Sequence, residues 1–135
     1  NDMFFNVRNV DSKVYEALTT WATDVPSVGL MKQYMALSHR GELLDASNTY
    51  SYARNLANIK VPCLFACGAA DRFAPPDVQK FLHARVGSTD KSMIHFGRAQ
   101  GYKVDAGHDD ALVGLTSRAE VYPAIDRWIS ERSTA

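Results

Sequence analysis

The chain carries no excess of either charge. Fifteen Lys and Arg residues balance fifteen Asp and Glu residues over 135 positions, which removes the basic field that nucleic-acid binding depends on. No apolar run approaches the roughly 20 residues needed to cross a bilayer. The opening residues, Asn1 to Asn6, lack the basic flank and apolar stretch of a secretory leader. Cysteine is nearly absent. Cys63 and Cys67 stand four positions apart, which in an extended segment is about 13 Å along the strand, and a disulfide needs Cα atoms within about 7 Å. Two thiols also fall short of the ligand set of a structural zinc site, so both read as small buried apolar residues. Repeats and low-complexity tracts are missing as well. A hydrophobic content of 46% and a charged content of 22% are those of one globular domain with a single core. The first residue is not an initiator Met, so a longer parent is expected, and the compartment stays open.

What is present falls into two regions. In residues 1–57, Val10, Val14, Leu18 and Trp21 recur at helical spacing, with Asn9 or Asp11 as the cap and Pro26 as the stop. A second apolar stripe, Leu30, Met31, Tyr34, Met35 and Leu37, ends at Gly41, a residue suited to a helix C-terminus. Trp21, Met31, Tyr34 and Met35 read as core, with an apolar substrate pocket as the less favoured alternative. Residues 42–58 are polar and read as irregular, and the roles of Tyr50 and Tyr52 stay open. In residues 58–135, Val61 to Cys67 is a compact apolar run bounded by Pro62 and Gly68 and reads as a buried strand. A loop leads to a helix starting near Pro76, with Val78, Phe81, Leu82 and Arg85 as its packed face. Residues 91–96 and 102–104 read as extended, with a turn between them. Ser117-Arg118-Ala119-Glu120 has the capping-box pattern and opens a helix carrying Val121, Ile125, Trp128 and Ile129. Strand, loop, helix, strand, loop, helix specifies an α/β fold with a parallel sheet. Two or three strands are too few for one, so the sheet is expected to be completed by another segment or chain.

In such sheets the working residues lie just beyond the carboxyl ends of strands. Asp71 and His108 occupy two loops of that kind. A histidine can accept a proton from a weak nucleophile near neutral pH, and a buried carboxylate can hold its tautomer. Asp109 and Asp110 read as helix caps. A metal held by His108, Asp109 and Asp110 is disfavoured because consecutive side chains on one turn do not converge on one ion. His83 reads as solvated, His39 as complementing a helix C-terminus, and His95 as a core or edge group.

Ile59-Lys60-Val61-Pro62-Cys63-Leu64, followed by Gly68-Ala69-Ala70-Asp71 and Pro75-Pro76, resembles the strand and acid loop of the α/β-hydrolase superfamily. His108, Asp110, Gly114, Val121 and Tyr122 are similar to the "H-x-D-x-x-x-G" and later "V-Y" of its lipase- and esterase-like members. The acid-before-histidine order is also that scaffold's. The resemblance covers about residues 58 to 131, and residues 1–57 more loosely resemble the helical cap that these enzymes insert. It implies the C-terminal portion of an α/β-hydrolase fold preceded by a cap, a small apolar ester-like substrate and no cofactor. It assigns the triad acid to Asp71 and the triad histidine to His108. The G-x-S-x-G elbow and an oxyanion-hole run are absent, so the nucleophile, a Ser or Cys, is expected from the N-terminal part of the same protein. An Asp there would give an epoxide hydrolase or dehalogenase, and a Cys a polyester synthase of the same architecture. A non-catalytic interaction domain on this scaffold is the alternative from another class. The stretch from Asp71 to His108 is longer than one helix and one strand need, and the excess falls in residues 96–102. An open sheet edge makes self-association expected.

Overall fold

A computed structural model describes residues 3–22 and 24–133. Asn1 and Asp2, part of the segment read above for a leader, lie outside the described residues. Helix α1 (Ser12–Trp21) starts at Asp11, whose carboxylate accepts from the Lys13 and Val14 amides, which decides between the two caps the sequence offered. Ser27 caps α2 (Val28–Arg40), and Gly41 closes it with φ +66°, a left-handed conformation that costs glycine nothing. Residues 42–51 are more ordered than their composition suggests. Leu44 and Ser51 form an antiparallel bridge, and the turn between them is gathered on Asp45, which accepts from the Thr49 and Tyr50 amides at 2.8 and 2.9 Å. The Ser47 hydroxyl and these amides hold the Asp45 carboxyl down at about 2.

Strands β1 (Cys63–Gly68) and β2 (Lys91–Phe96) pair in parallel, in the register Cys63 with Lys91 through Gly68 with Phe96. The crossover between them carries α3 (Pro76–Arg85), and the chain ends with α4 (Asp110–Val113) and α5 (Ser117–Ser130). The period of two along a strand assigns alternate side chains to the two flanking helices. On one face Phe65 meets the His83 ring of α3 edge-on at 5.6 Å, and Lys91 Nζ donates to the His83 and Val86 carbonyls. On the other face Ala66, Ile94 and Phe96 pack with Val121, Ile125, Ala106 and Ala111, and Trp128 Nε1 donates to Ser92 Oγ at 3.1 Å. The result is a small parallel two-stranded sheet with a helix on each face, a partial α/β arrangement.

Several expectations need correction. Trp21, Met31, Tyr34 and Met35 are all exposed, Trp21 by 84%, and neither α1 nor α2 has a buried residue. Helical periodicity creates an apolar stripe but does not supply the surface that covers it. On α3 the residues turned inward are Gln79, Leu82 and His83, whereas Val78 and Phe81 are exposed, with the Arg85 guanidinium 3.5 Å over the Phe81 ring. His83 is therefore half-buried against the sheet, not solvated. Residues 102–104 form no strand. The excess after β2 coils into a 3-10 turn at Arg98–Gln100, and Lys103 N donates to the Glu120 carboxylate. The capping box fails for the same reason. Glu120 is engaged there, and Ser117 Oγ donates to the Asp110 carbonyl instead of capping α5.

Strand β1 is apolar on both faces, the composition of an interior strand. Among the described residues, however, β2 is its only partner. The unpaired edge is a template for another strand, so the isolated 15.0 kDa chain is expected to sediment above its monomer mass, increasingly with concentration; a monomer at every concentration would contradict this. A second expectation concerns acid stability. Arg132 grips Asp90 with two bonds of 2.8 Å and lies over the Trp128 ring. Bonding to that guanidinium lowers the Asp90 carboxyl from its ordinary 3.8. A carboxyl lowered by folding stabilises the native state fully above its ordinary value and loses that effect as pH falls through the lowered one. Arg132→Gln should therefore flatten the acid limb of stability against pH in urea titrations while changing the pH-dependence above neutrality little.

Candidate active site

The acid loop and the histidine loop are zipped together by main chain. At the end of β1, Ala69 N donates to the Phe96 carbonyl at 3.0 Å and Ala70 N to the Ala106 carbonyl at 2.9 Å. Gly68 permits this approach, because a Cβ there would overlap the Ala106 and Gly107 carbonyl oxygens. Asp71 follows in a turn closed on Gly68 O. Its Oδ1 accepts from the Phe73 and Ala74 amides at 2.9 and 2.8 Å, which fixes the carboxylate without help from any side chain.

The other carboxylate oxygen meets the histidine. His108 Nδ1 lies 2.8 Å from Asp71 Oδ2, with the acid's side chain 3% and the imidazole 34% exposed. An ionised carboxylate only accepts, so Nδ1 carries the proton and Nε2 is the nitrogen left for proton transfer. The imidazole is flanked by Phe73, with ring centroids 4.8 Å apart, and by Phe4 at 6.4 Å. Asp71 and His108 both line a cavity of about 620 Å³ whose wall is mainly apolar, with Phe4 and Phe5, Leu18 of α1, Ala22 just after that helix, and Leu112 among its residues.

Two residues lining the cavity carry a hydroxyl or a thiol, Thr19 and Cys67. Thr19 Oγ1 donates to the Tyr15 and Glu16 carbonyls of its own helix. Cys67 is buried, and burial first, then the neighbouring Asp71 charge, raises its thiol to about 11. A thiol so protonated is a poor nucleophile. Neither group is prepared for attack.

Asp110 is not the helix cap that the sequence suggests. Its side chain is fully buried, and its carboxylate accepts from Gly107 N, Asn6 N and Asn9 Nδ2, each at 2.8 Å. Asp109, at the start of α4, makes no side-chain cap bond. No local pattern foretold the role of Asp110, because two of its partners lie more than a hundred positions away. His39 is exposed in the last turn of α2. His95 is half-buried on the α3 face of the sheet beside Cys67, and its Nε2 is buried without a hydrogen-bond partner. No cluster among the described residues could hold a metal ion.

No family model matches the chain, and no solved structure matches it. Over 80 residues, 59% of its length, the chain is 31% identical to the poly(3-hydroxyalkanoate) polymerase subunit PhaC of Haloarcula marismortui. It spans 15% of the length of that protein.

Truncating Asp71 should separate its two roles. Asp71→Ala removes the acceptor of the part-buried Phe73 and Ala74 amides and is expected to cost about 1 kcal/mol or more in urea unfolding. Asp71→Asn keeps an acceptor for those amides and should cost clearly less. Equal losses would mean that the turn does not depend on the carboxylate.

Proposed function

We propose that this chain contributes the carboxylate and the general base of an acyl-transfer site in a protein of the α/β-hydrolase type. Residues 58–135 would belong to the core and residues 1–57 to its cap. The observation that carries the reading is the pair itself: a buried carboxylate, held by two amides, bonded to the Nδ1 of an imidazole that faces an apolar cavity. The likeness to the polymerase subunit gives the superfamily assignment limited support.

In this reading His108 Nε2 takes the proton of a nucleophile supplied by the N-terminal part of the same protein. The nucleophile adds to the acyl carbonyl, and the imidazolium, stabilised by Asp71, returns the proton to the leaving group as the carbonyl re-forms. The acyl group then passes to an acceptor, with His108 deprotonating that acceptor in turn. The apolar wall of the cavity favours a small apolar ester or thioester as substrate. Hydrolysis follows if the acceptor is water. If the acceptor is the hydroxyl of another substrate unit, the product is a polyester, and the name of the relative favours this second reading. Neither Thr19 nor Cys67 is a candidate nucleophile on the grounds given above.

The test uses the full polypeptide that contains this chain, assayed with a p-nitrophenyl ester and with a 3-hydroxyacyl thioester, following free acid and polymer separately. His108→Ala should reduce turnover by about a thousandfold or more, and Asp71→Asn by up to about 10⁴-fold through loss of the productive tautomer. Retained turnover in both variants would sink the catalytic reading and leave a scaffold that serves only for interaction. Release of free acid alone would eliminate the polyester reading.

A further inference from the structure

The side chains most completely withdrawn from solvent are polar: Asn9, Asp110 and Ser117. A buried charge is costly unless hydrogen bonds compensate it, so this cluster calls for an account beyond packing. Its bonds converge on the histidine. The amides on either side of His108 are both fixed: Gly107 N donates to Asp110 Oδ1 at 2.8 Å, and Asp109 N donates to the Phe4 carbonyl at 3.0 Å. The same Oδ1 also accepts from Asn6 N, and Oδ2 accepts from Asn9 Nδ2. Asp110 thus joins the turn before the histidine to the segment 4–9 that braces the turn after it. Further bonds tie that segment down, from Asn6 Nδ2 to the Asp105 carbonyl at 2.9 Å and from Leu115 N to the Asn9 carbonyl at 2.7 Å. Through it, Phe4 is set against Phe73, with ring centroids 5.0 Å apart.

We infer that Asp110 is a positioning residue for His108, acting through the strap of residues 4–9. The inference rests on the reading of Asp71 and His108 as a proton-transfer pair, although its readout does not depend on catalysis. Asp71 is immobilised by its own turn, so the geometry of the pair is decided by where the histidine loop is held. Bonds to an ionised acceptor are roughly twice as strong as neutral ones, and a carboxylate can serve three donors at once, which an amide in the same place cannot do. Asp110→Asn places an amide donor against at least one of the three donors now satisfied.

The experiment follows the His108 Nδ1 proton by NMR in the intact chain. Asp110→Asn should accelerate exchange of that proton with solvent by about tenfold or more, as expected when a site opens locally. Asn6→Pro removes the Asn6 main-chain donor, together with the Nδ2 bond to the Asp105 carbonyl, while leaving Asp110 in place. The native φ of −82° at Asn6 suits proline, and this variant should act in the same direction, which keeps the test alive if Asp110→Asn does not fold. Ser117→Ala is the control. It removes the bond to the Asp110 carbonyl and lowers stability without touching the loop amides, so His108 exchange should stay as in the parent chain. Unchanged exchange in Asp110→Asn or in a folded Asn6→Pro, or acceleration by Ser117→Ala to the same degree, overturns the inference. In Asp71→Asn the proton should lose its protection altogether; if it does not, the pair itself fails, and that failure is distinct from one at Asp110.

Discussion

One buried carboxylate organises this molecule. Asp110 is wholly removed from water, and removing an ionised group from water costs several kcal/mol unless its oxygens are bonded. The fold meets that demand with three N–H donors, two of them drawn from the far end of the chain. The strap of residues 4–9 is therefore held by polar chemistry more than by apolar contact, although Phe5 is buried and meets Tyr15 edge-on. Because the donors come from separate segments, displacing one of them leaves the charge under-bonded and weakens the hold on the others. Strap, histidine loop and the start of α5 are thus joined through Asp110.

The Asp71 side is built differently. Its carboxylate is set within its own turn, by the Phe73 and Ala74 amides, while Ala69 and Ala70 tie the loop to the Phe96 and Ala106 carbonyls. The candidate site thus joins a locally determined acid to a histidine positioned over long range. The parallel sheet makes the meeting possible, since loops that leave the same end of neighbouring strands emerge side by side. The 3-10 turn at Arg98–Gln100 and the following residues occupy the space where a third extended segment was expected. They carry the chain back across the strand ends, so that Ala106 and Gly107 lie against Gly68.

This division explains what was legible in the sequence. The apolar run of β1, the proline-opened α3 and the spacing of Asp71 beyond Gly68 are local signals, and the structure retains them. The approach of His108 to Asp71 follows from strand-end position and chain order, which do not require tertiary detail. The role of Asp110 was not legible, because an aspartate at a helix start two positions after a histidine looks like a cap whatever it bonds to. Ser117 and Glu120 show the same limit from the other side. Their pattern is right for a capping box, but each has its partner elsewhere, Ser117 in the Asp110 carbonyl and Glu120 in the Lys103 amide. In α1 and α2, period alone identified helices but could not say that Trp21, Met31, Tyr34 and Met35 would face outward.

The separation of 104 positions between Asn6 and Asp110 also sets an order of assembly. Contacts between distant segments must first meet the entropy of closing the intervening loop. During synthesis the strap emerges before the histidine loop, and its bonds to Asp105 and Asp110 cannot form until that loop leaves the ribosome. β1 and its acid loop precede the histidine loop, and the bonds about the imidazole are complete only when that loop has met the strap. A chain stalled ahead of the histidine loop would therefore carry the acid without its base.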